Sequence, residues 1–341
     1  MKVVRLHAPG DLRLSDEPVP VPGPGEVLLR VRAVGVCASD VHYYSEGCIG
    51  DQVVREPLVL GHEVGAEVAE AGPGVADLAP GDRVAVEPGQ SCGECDPCRR
   101  GWPNLCPWVR FFGTPPVDGA MREFVAWPAR LCTKLPPGMS FAEAAMIEPA
   151  AVGIYSVDLA GIQGGEKTAI LGAGGIGLSV LQAARLAGAG KIWMADPIPE
   201  RCRLALRLGA DRALDGDPEA AARTVREESG GPDVVFECAG TNEAVEQAVA
   251  LAGFNARVII VGIPYPDEVR FTASTARRKN LTMVFVRRSR DAVERAVEWA
   301  RDGSMDLKSL VTHRLPLEEA DRALRLARDR ADGVIRAVIE V

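Results

Sequence analysis

The chain has 341 residues, of which 47% are hydrophobic and 25% charged, and its formal net charge is −8. This length exceeds what a single hydrophobic core usually supports, so two domains are expected. The acidic balance and the lack of a basic run argue against nucleic acid or an anionic membrane surface as the main partner.

The sequence predicts neither a targeting segment nor a membrane-spanning helix. The N-terminal stretch MKVVRLHAPGDLRL carries charges from its start and predicts no signal peptide. Apolar runs such as ARVIIVGI are far shorter than the ~20 residues that span a bilayer. Nine cysteines are an odd number for a chain without an export signal, so we expect a reducing, cytoplasmic location that disfavours disulfides.

Residues 1–150 predict a β-rich domain. Short apolar stretches alternate with clusters of proline and glycine, among them VLLRVRAVGV, EVGAEVAEAG, DRVAVEP and REFVAW. Closely spaced short strands with such punctuation are typical of a small barrel or sandwich.

Residues 151–286 predict a parallel, doubly wound sheet, because strand-like and helix-like segments alternate there. The predicted strands are TAILG (168–172), KIWMAD (191–196), DVVFECAG (233–240), RVIIVG (257–262) and LTMVFV (281–286). Residues 287–341 contain an amphipathic helix, DAVERAVEWARDG, and a closing strand, VIRAVIEV. This tail is short for a domain of its own, and we expect it to pack on the N-terminal domain.

A glycine motif follows the first strand of the predicted parallel sheet. Gly172, Gly174 and Gly177 form G-x-G-x-x-G, with Gly175 and Ile176 between them, directly before a helix. In this context the motif predicts a dinucleotide site, because the glycines permit a tight turn and close approach of the pyrophosphate to the helix N-terminus.

Asp196 ends the next predicted strand, where a carboxylate accepts hydrogen bonds from a ribose 2′-hydroxyl and repels a 2′-phosphate. NAD is therefore favoured over NADP. Arg201, five residues further on, either lies against the adenosine side of the cofactor or is a solvated helix residue.

Four further residues supply metal donors: Cys37 in VCASDVH, His62 and Glu63 in LGHEVG, and Glu148 in MIEPAAVG. Each alone has an ordinary structural explanation. Together they offer a thiolate, an imidazole and one or two carboxylates, which is a tetrahedral zinc set that can keep one position open for water or substrate.

The stretch CGECDPCRRGWPNLCPW has four clustered cysteines, which admit disulfides, an iron–sulfur cluster, a structural metal or an active site. The run is similar to that of bacterial ferredoxins, but its last spacing is longer and no second cysteine set accompanies it. A closed tetrahedral zinc site fits better, and four thiolates leave no position for a substrate. We predict a structural zinc held by Cys92, Cys95, Cys98 and Cys106, and ordinary buried thiols at Cys48, Cys132, Cys202 and Cys238.

Taken together, these segments resemble the zinc-containing medium-chain dehydrogenases, and within them the sorbitol or polyol dehydrogenase branch. The resemblance runs almost end to end and is carried by CASDVHYY, LVLGHEVGAEV, GDRVAVEPG, the four-cysteine stretch, TPPVDGAMREFV, IEPAAVGIYS, GAGGIG with Asp196, and LVTHRLPLEEA. It implies an α/β protein with a GroES-like catalytic domain, a Rossmann NAD-binding domain, and a catalytic zinc in the cleft between them.

The resemblance also implies roles for single residues. Cys37, His62 and Glu63 would bind the catalytic zinc, and Glu148 would either bind it or hydrogen-bond its water. A proton relay would run through Ser39 and His42. The cofactor site would include Val261, Gly262 and Ile263, and the substrate cleft Tyr43, Phe112, Thr114 and Glu148.

The implied reaction is hydride transfer from a secondary alcohol of a sugar alcohol to NAD, giving a ketose. The segment Phe285-Val286-Arg287-Arg288-Ser289 departs from the polyol branch, so the particular polyol stays open, with Arg287 or Arg288 facing either a substrate hydroxyl or solvent. The family commonly assembles through the region from the edge strand RFTAS to LTMVFV, and a homotetramer is expected. No partner protein is implied.

Two other functions stay open. L-Threonine 3-dehydrogenase, or another zinc alcohol dehydrogenase, shares the same zinc donors and the Glu148 pattern. A non-enzymatic NAD-binding protein on the same fold is the remote alternative, although the zinc donors and the relay residues are all present.

Overall fold

The computed structural model describes residues 1–341, which form two compact units. The first unit combines Met1–Glu148 with Val293–Arg301 and Leu307–Val341, and the second combines Pro149–Ala292 with Asp302–Asp306. No helix is both long and apolar enough to cross a bilayer.

The first unit is rich in short strands. In chain order its elements are β1 (Lys2–Ala8), β2 (Asp11–Asp16), β3 (Glu26–Gly35), α1 (Ala38–Glu46), β4 (Cys48–Ile49), β5 (Gln52–Val53), β6 (Leu58–Val59), β7 (Glu63–Ala71), β8 (Arg83–Val86), β9 (Gly89–Gln90), α2 (Asp96–Arg99), β10 (Arg110–Phe111), β11 (Phe124–Pro128), β12 (Cys132–Lys134) and α3 (Phe141–Ala145). The helix α4 (Ile147–Ala160) begins at its end and continues into the second unit.

The second unit alternates strand and helix. Its elements are β13 (Thr168–Leu171), α5 (Gly175–Leu186), β14 (Ile192–Ala195), α6 (Pro199–Arg207), β15 (Arg212–Leu214), α7 (Pro218–Ser229), β16 (Val234–Glu237), α8 (Asn242–Leu251), β17 (Arg257–Ile260), α9 (Ala273–Lys279) and β18 (Thr282–Phe285). The chain then returns to the first unit as α10 (Val293–Arg301), β19 (Val311–Pro316), α11 (Ala320–Asp329) and β20 (Arg336–Glu340).

The strand β3 is the centre of the first unit. It is long and largely buried, and it pairs antiparallel with β7, β11 and β20 in a seven-stranded sheet. The closing strand β20 sets Val338 opposite Gly35, so the end of the chain lies beside the strand that precedes Cys37. Tertiary pairing thus brings the C-terminal tail to the residues that supply the predicted metal donors.

The second unit contains a six-stranded parallel sheet in the order β15-β14-β13-β16-β17-β18. Relative to chain order this is 3-2-1-4-5-6, the doubly wound arrangement that binds dinucleotides where the strand order reverses. That point lies between β13 and β16. Both strands are buried throughout, which is why they are continuous apolar runs in the sequence.

The helices of this unit begin at residues that satisfy free backbone N–H groups. Asp217 accepts a hydrogen bond from Ala220 N–H at the start of α7, and Thr241 accepts one from Ala244 N–H at the start of α8. Gly230 follows the last residue of α7, and its φ of 72° is the left-handed conformation that glycine adopts without strain.

All five predicted strands of the parallel sheet are confirmed, each a little shorter than its apolar run. The sixth strand, β15, was not predicted, because three residues in LGADRALDG are too few to show a period. The helix α1 was not predicted either. The expected edge strand RFTAS is wrong: Ala273 and Ser274 begin α9, and the edge of the sheet is β18.

Candidate metal and cofactor sites

Three of the predicted metal donors converge in the first unit. The thiol of Cys37, a ring nitrogen of His62 and a carboxylate oxygen of Glu63 all lie within 4.8 Å of one another. Cys37 precedes the first residue of α1, while His62 and Glu63 stand at the start of β7. Glu63 lies opposite Gly35 in the pairing of β3 with β7, so sheet register places the carboxylate beside the Cys37 turn.

Asp40 joins the two segments that carry these donors. Its Oδ2 accepts a hydrogen bond from the backbone N–H of Cys37 at 3.0 Å, and its Oδ1 accepts one from Gly61 N–H at 2.9 Å. The same Oδ1 lies 3.6 Å from Nδ1 of His62. A carboxylate at this ring nitrogen orients the imidazole and leaves its other nitrogen available to a metal.

Glu63 has the environment of a metal ligand. It is fully buried, and neither of its carboxylate oxygens has a hydrogen-bond partner. Arg336 Nη2 lies 3.0 Å from Oε1, close enough for ion pairing but without hydrogen-bond alignment. A buried carboxylate with orphaned oxygens beside a thiol and an imidazole is satisfied by a zinc ion, so this donor set fits zinc.

Electrostatics favour the metal-binding form of Cys37. Burial by itself raises the pKa of this thiol, but the charge of His62, a hydrogen bond from His62 and the charge of Arg336 together lower the pKa to about 5. For Glu63, burial raises the pKa well above its usual value, against the opposing charge of Arg336. The site therefore holds a thiolate readily, while the carboxylate depends on nearby positive charge.

Glu148 belongs to the same buried cluster but not to the group of three donors. It lies in the first turn of α4 and is 8% exposed. Burial raises its pKa to about 7, with His62 lowering the value and Cys37 raising it. A carboxyl group whose pKa lies near 7 can accept or donate a hydrogen bond at this position.

The helix α1 arranges the predicted relay and one predicted substrate residue. Ser39, His42 and Tyr43 are three and four residues apart and so share one face. Ser39 and His42 are half-buried, and Tyr43 is buried with its hydroxyl 3.3 Å from Oε1 of Gln52. The C-terminal part of the chain supports this helix: Tyr44 donates a hydrogen bond to Asp321 of α11 at 2.7 Å.

The other predicted substrate residues differ in burial. Phe112 is 1% exposed and packs on Trp127 in the core, with ring centroids 3.9 Å apart. Its neighbour Phe111 is the ring that lies against His62, at 5.5 Å. Thr114 is half-buried in the following loop, and Arg287 is exposed after β18.

The four clustered cysteines form a second donor set. Their sulfurs all lie within 4.8 Å of one another, with 3.3 Å between Cys95 and Cys98 and 3.6 Å between Cys92 and Cys106. All are free thiols, as are the remaining five cysteines. Backbone N–H groups of Glu94 and Cys95 lower the pKa of Cys92 to about 6. Four converging sulfurs with no bond between them fit a closed zinc site.

The glycine motif has the predicted geometry at the end of β13. Gly172 has a φ of 97°, and a methyl group on it would lie 2.9 Å from Ala239 N. Gly174 precedes α5, and a methyl group on it would lie 4.0 Å from Arg201 Nη1, while a methyl group on Gly177 would overlap the carbonyl oxygen of Gly172. Gly175 and Ile176 form the first turn of α5, whose free N–H groups can receive phosphate.

Asp196 stands next to this motif. Its Oδ2 accepts a hydrogen bond from Ala173 N–H at 2.7 Å, and its Oδ1 accepts one from Ile198 N–H at 2.9 Å. Arg201 is largely buried, with Nη1 3.7 Å from the Asp196 carboxylate. Past β17, Val261 and Gly262 are half-buried and Ile263 is exposed.

Comparison with known proteins shows which family the chain belongs to. Residues 23–137 match the family model "Alcohol dehydrogenase GroES-like domain", and residues 175–302 match "Zinc-binding dehydrogenase". The chain is 36% identical over 329 residues to a sorbitol dehydrogenase of Bacillus subtilis, covering 96% of this chain and 93% of that one. The chain belongs to the zinc-containing medium-chain alcohol dehydrogenase family.

Two solved structures of dehydrogenases share the whole fold. One, from Escherichia coli and of unknown specificity, aligns with a TM-score of 0.93 and 34% identity over 99% of this chain and 98% of that one. The other, a putative zinc-binding dehydrogenase from Sinorhizobium meliloti bound to NADP, has a TM-score of 0.90 and 32% identity over 100% and 99%. The GroES-like and Rossmann assignments are confirmed, and this medium-chain dehydrogenase is a zinc-dependent enzyme of the alcohol and polyol class.

Sequence reasoning missed two residues of the dehydrogenase's metal site. Asp40 is three residues beyond Cys37, and this spacing matches a capping interaction at a helix start. Arg336 is a charged residue inside the apolar closing strand VIRAVIEV, a pattern that indicates a buried partner. Both patterns are visible in the sequence, but neither shows which residues the side chain of Asp40 or Arg336 contacts.

Proposed function

We propose that the chain oxidises a secondary alcohol of a sugar alcohol to a ketone, with NAD as hydride acceptor. The observation that carries this proposal is the converging set of Cys37, His62 and Glu63, in which the buried carboxylate oxygens of Glu63 have no hydrogen-bond partner. Likeness to a sorbitol dehydrogenase over almost the full length supports the polyol substrate. A zinc ion bound there would stabilise the negative charge that develops on the alcohol oxygen.

The chain's own residues have to move the alcohol proton to solvent. Ser39 and His42 stand one helical turn apart on α1, and both are half-buried. We propose that Ser39 receives the proton from the alcohol and that His42 passes it to water, since an imidazole titrates near neutral pH. Glu148, whose pKa burial raises to about 7, is a further polar group of this site.

A polyol presents several hydroxyl groups, and the site must orient one carbon. We assign this role to Tyr43, Thr114 and Arg287, which offer hydroxyl and guanidinium groups. Phe112 contributes through the packing of its loop on Trp127 rather than through an exposed ring. Glu148 can accept a hydrogen bond from a substrate hydroxyl.

For the cofactor, we propose NAD rather than NADP. The buried carboxylate of Asp196 suits a ribose 2′-hydroxyl and disfavours a 2′-phosphate. The N–H groups at Gly174–Gly177, with Val261, Gly262 and Ile263 across the switch point, would hold the remainder of the dinucleotide. Arg201, close to Asp196, is assigned to the adenosine side.

We also propose a homotetramer. The strand β18 is an edge of the parallel sheet, and Phe285 at its end is 60% exposed. An unpaired edge with an exposed aromatic side chain is suited to pairing with a second copy. Sedimentation velocity of the purified chain tests this, and a monomer or a dimer at micromolar concentration contradicts it.

The decisive experiment measures reduction of NAD, with NADP in parallel, over a panel of sorbitol, xylitol, other sugar alcohols, 2,3-butanediol, simple alcohols and L-threonine. We expect one sugar alcohol to have the highest kcat/KM with NAD. Preferred turnover of L-threonine would replace the polyol proposal with the threonine dehydrogenase alternative. No turnover of any alcohol would overturn the proposal.

A matched pair of cysteine variants ties activity to the metal set. Cys37→Ala should abolish turnover and remove the zinc of the Cys37, His62 and Glu63 set, as measured by elemental analysis. Cys48→Ala is the control, because Cys48 is half-buried on β4 and belongs to neither donor set. A folded Cys37→Ala protein with full activity would refute the assignment.

A further inference from the structure

Glu237 is a buried carboxylate with no role in the site so far described. It is the last residue of β16, one of the two strands that flank the switch point, and its exposure is 0%. Its Oε1 accepts hydrogen bonds from the backbone N–H groups of Ala239 and Gly240, both at 2.7 Å. Its Oε2 is buried without a hydrogen-bond partner.

Three loops converge on this carboxylate, and glycines permit their approach. A methyl group on Gly262 would lie 2.4 Å from Gly240 N and 2.7 Å from Glu237 Oε2. A methyl group on Gly172, in the nucleotide motif, would lie 2.9 Å from Ala239 N. The loops after β13, β16 and β17 are therefore packed backbone to backbone around the end of β16.

Packing alone does not explain a carboxylate at this position. An ionised group in a dry interior is costly unless hydrogen bonds compensate, and an apolar side chain would avoid that cost. Burial raises the pKa of Glu237, while the N–H groups of Gly240, Ala239, Gly262 and Thr241 oppose that shift. What the carboxylate provides is an acceptor for loop N–H groups that strand pairing leaves free.

The main chain adds a second tie at the same point. The carbonyl oxygen of Glu237 accepts hydrogen bonds from Val261 N–H at 2.8 Å and from Gly262 N–H at 3.0 Å. The side chain thus holds residues 239–240 and the backbone holds residues 261–262. Both loops lie at the carboxyl ends of adjacent strands, the edge at which doubly wound sheets bind a dinucleotide.

We propose that Glu237 is a positioning residue for the nicotinamide cofactor: its carboxylate fixes the loop Cys238–Thr241 at the point where its backbone carbonyl binds Val261 and Gly262, and so preforms the surface that receives the nucleotide. This inference rests on the proposed function, since it assumes that NAD(H) binds at this switch point. Glu237 acts through backbone N–H groups and does not itself contact the reacting atoms.

The test is NADH affinity of the zinc-loaded, full-length chain, measured by fluorescence titration. Glu237→Ala should raise the Kd of NADH by about tenfold, because two loop N–H groups lose their acceptor. Glu237→Gln keeps an acceptor oxygen for Ala239 and Gly240 and should stay within about threefold of wild type. Val235→Ala is the control, since it removes buried packing from the same strand and leaves the loops tied.

A second readout needs no cofactor. In the nucleotide-free chain, the amides of Ala239 and Gly240 should exchange with solvent faster in Glu237→Ala than in Val235→Ala. If Glu237→Ala does not fold, Glu237→Asp provides the test, because it keeps a carboxylate but shortens its reach to the N–H groups of Ala239 and Gly240. That variant should also weaken NADH binding.

The outcomes separate this inference from the proposed function. A wild type that binds NADH, with a Glu237→Ala protein that binds it equally well, would overturn the inference alone. Equal amide exchange in the two variants would overturn it as well. A wild type without affinity for NADH would overturn the proposed function and the inference together.

Discussion

Arg336 and Glu63 form a buried ion pair between the closing strand and the metal donors, with Nη2 of Arg336 3.0 Å from Oε1 of Glu63. Arg336 also donates a hydrogen bond from Nη1 to the carbonyl of Val36 at 2.9 Å, next to Cys37. A single guanidinium from the C-terminal tail thereby balances the charge of one metal donor and holds the turn that carries another.

Removing that guanidinium should damage both folding and metal binding. Arg336→Met leaves Glu63 buried without a counter-charge, so we expect the free energy of unfolding to fall by about 3–5 kcal/mol. We also expect loss of the zinc of the Cys37 set, while the four-cysteine set keeps its own. Urea unfolding and zinc content per chain measure the two effects.

The control for this variant is Arg314→Met on the neighbouring strand β19. Arg314 pairs with Glu340 at 2.9 Å, but both side chains are about half exposed, so the expected change in unfolding free energy is within about 0.5 kcal/mol. Equal effects of the two substitutions would show that the Arg336 pair does not support the metal set.

The four-cysteine set should keep its loop ordered and take no part in alcohol oxidation. Cys98→Ser removes one sulfur of a closed site, so the variant should lose that zinc and become sensitive to proteolysis within residues 92–106. Activity should remain measurable at low temperature, because the Cys37 set is separate. Cys132→Ser, a substitution outside both sets, should leave zinc content and protease resistance unchanged.

The discrimination between NAD and NADP should depend on the charge of Asp196. Asp196→Asn keeps one acceptor oxygen but loses the negative charge and one of the hydrogen bonds from Ala173 and Ile198. We expect the ratio of kcat/KM for NAD to that for NADP to fall by about tenfold. Asp211→Asn, which perturbs the carboxylate that precedes β15 and pairs with Arg185, should leave the ratio unaltered.

The buried Lys279 predicts a rise of stability with pH. Its Nζ donates hydrogen bonds to the carbonyls of Val249, Ala250 and Ala252 at the end of α8, and burial, aided by the charge of Arg226, lowers its pKa to about 8. Between about pH 8 and 10.5 the unfolded chain therefore binds a proton at this lysine that the folded chain does not.

Unfolding takes up that proton, so it becomes less favourable as pH rises through this window. We expect the unfolding free energy of wild type, relative to Lys279→Met, to increase by up to about 1 kcal/mol per pH unit after allowance for solvent screening. Denaturant titrations at pH 7, 8, 9 and 10 provide the measurement. A pH-independent difference between the two proteins would contradict the prediction.

Most of the parallel sheet and the nucleotide motif could be predicted locally. The runs around Thr168–Leu171 and Val234–Glu237 are apolar because both faces of a central strand are covered. The glycines that follow β13 are required because other backbone segments approach them closely. Their spacing in the sequence is enough to identify them. The helix α1 escaped prediction because its residues have weak amphipathic patterning and its start depends on Asp40.

The sequence by itself determined the chemistry available to this protein: which residues can act as metal donors, where phosphate can bind, and that four cysteines are grouped. Those properties depend on residue type and short spacing, which are local. Only the tertiary structure decided which donors meet. The pairing of β3 with β7 and β20 sets Glu63 beside Cys37 and Arg336 beside Glu63, and the register of distant strands is a property of the whole core. For the same reason the structure alone singled out Glu237, a carboxylate whose importance lies in the loops that converge on it.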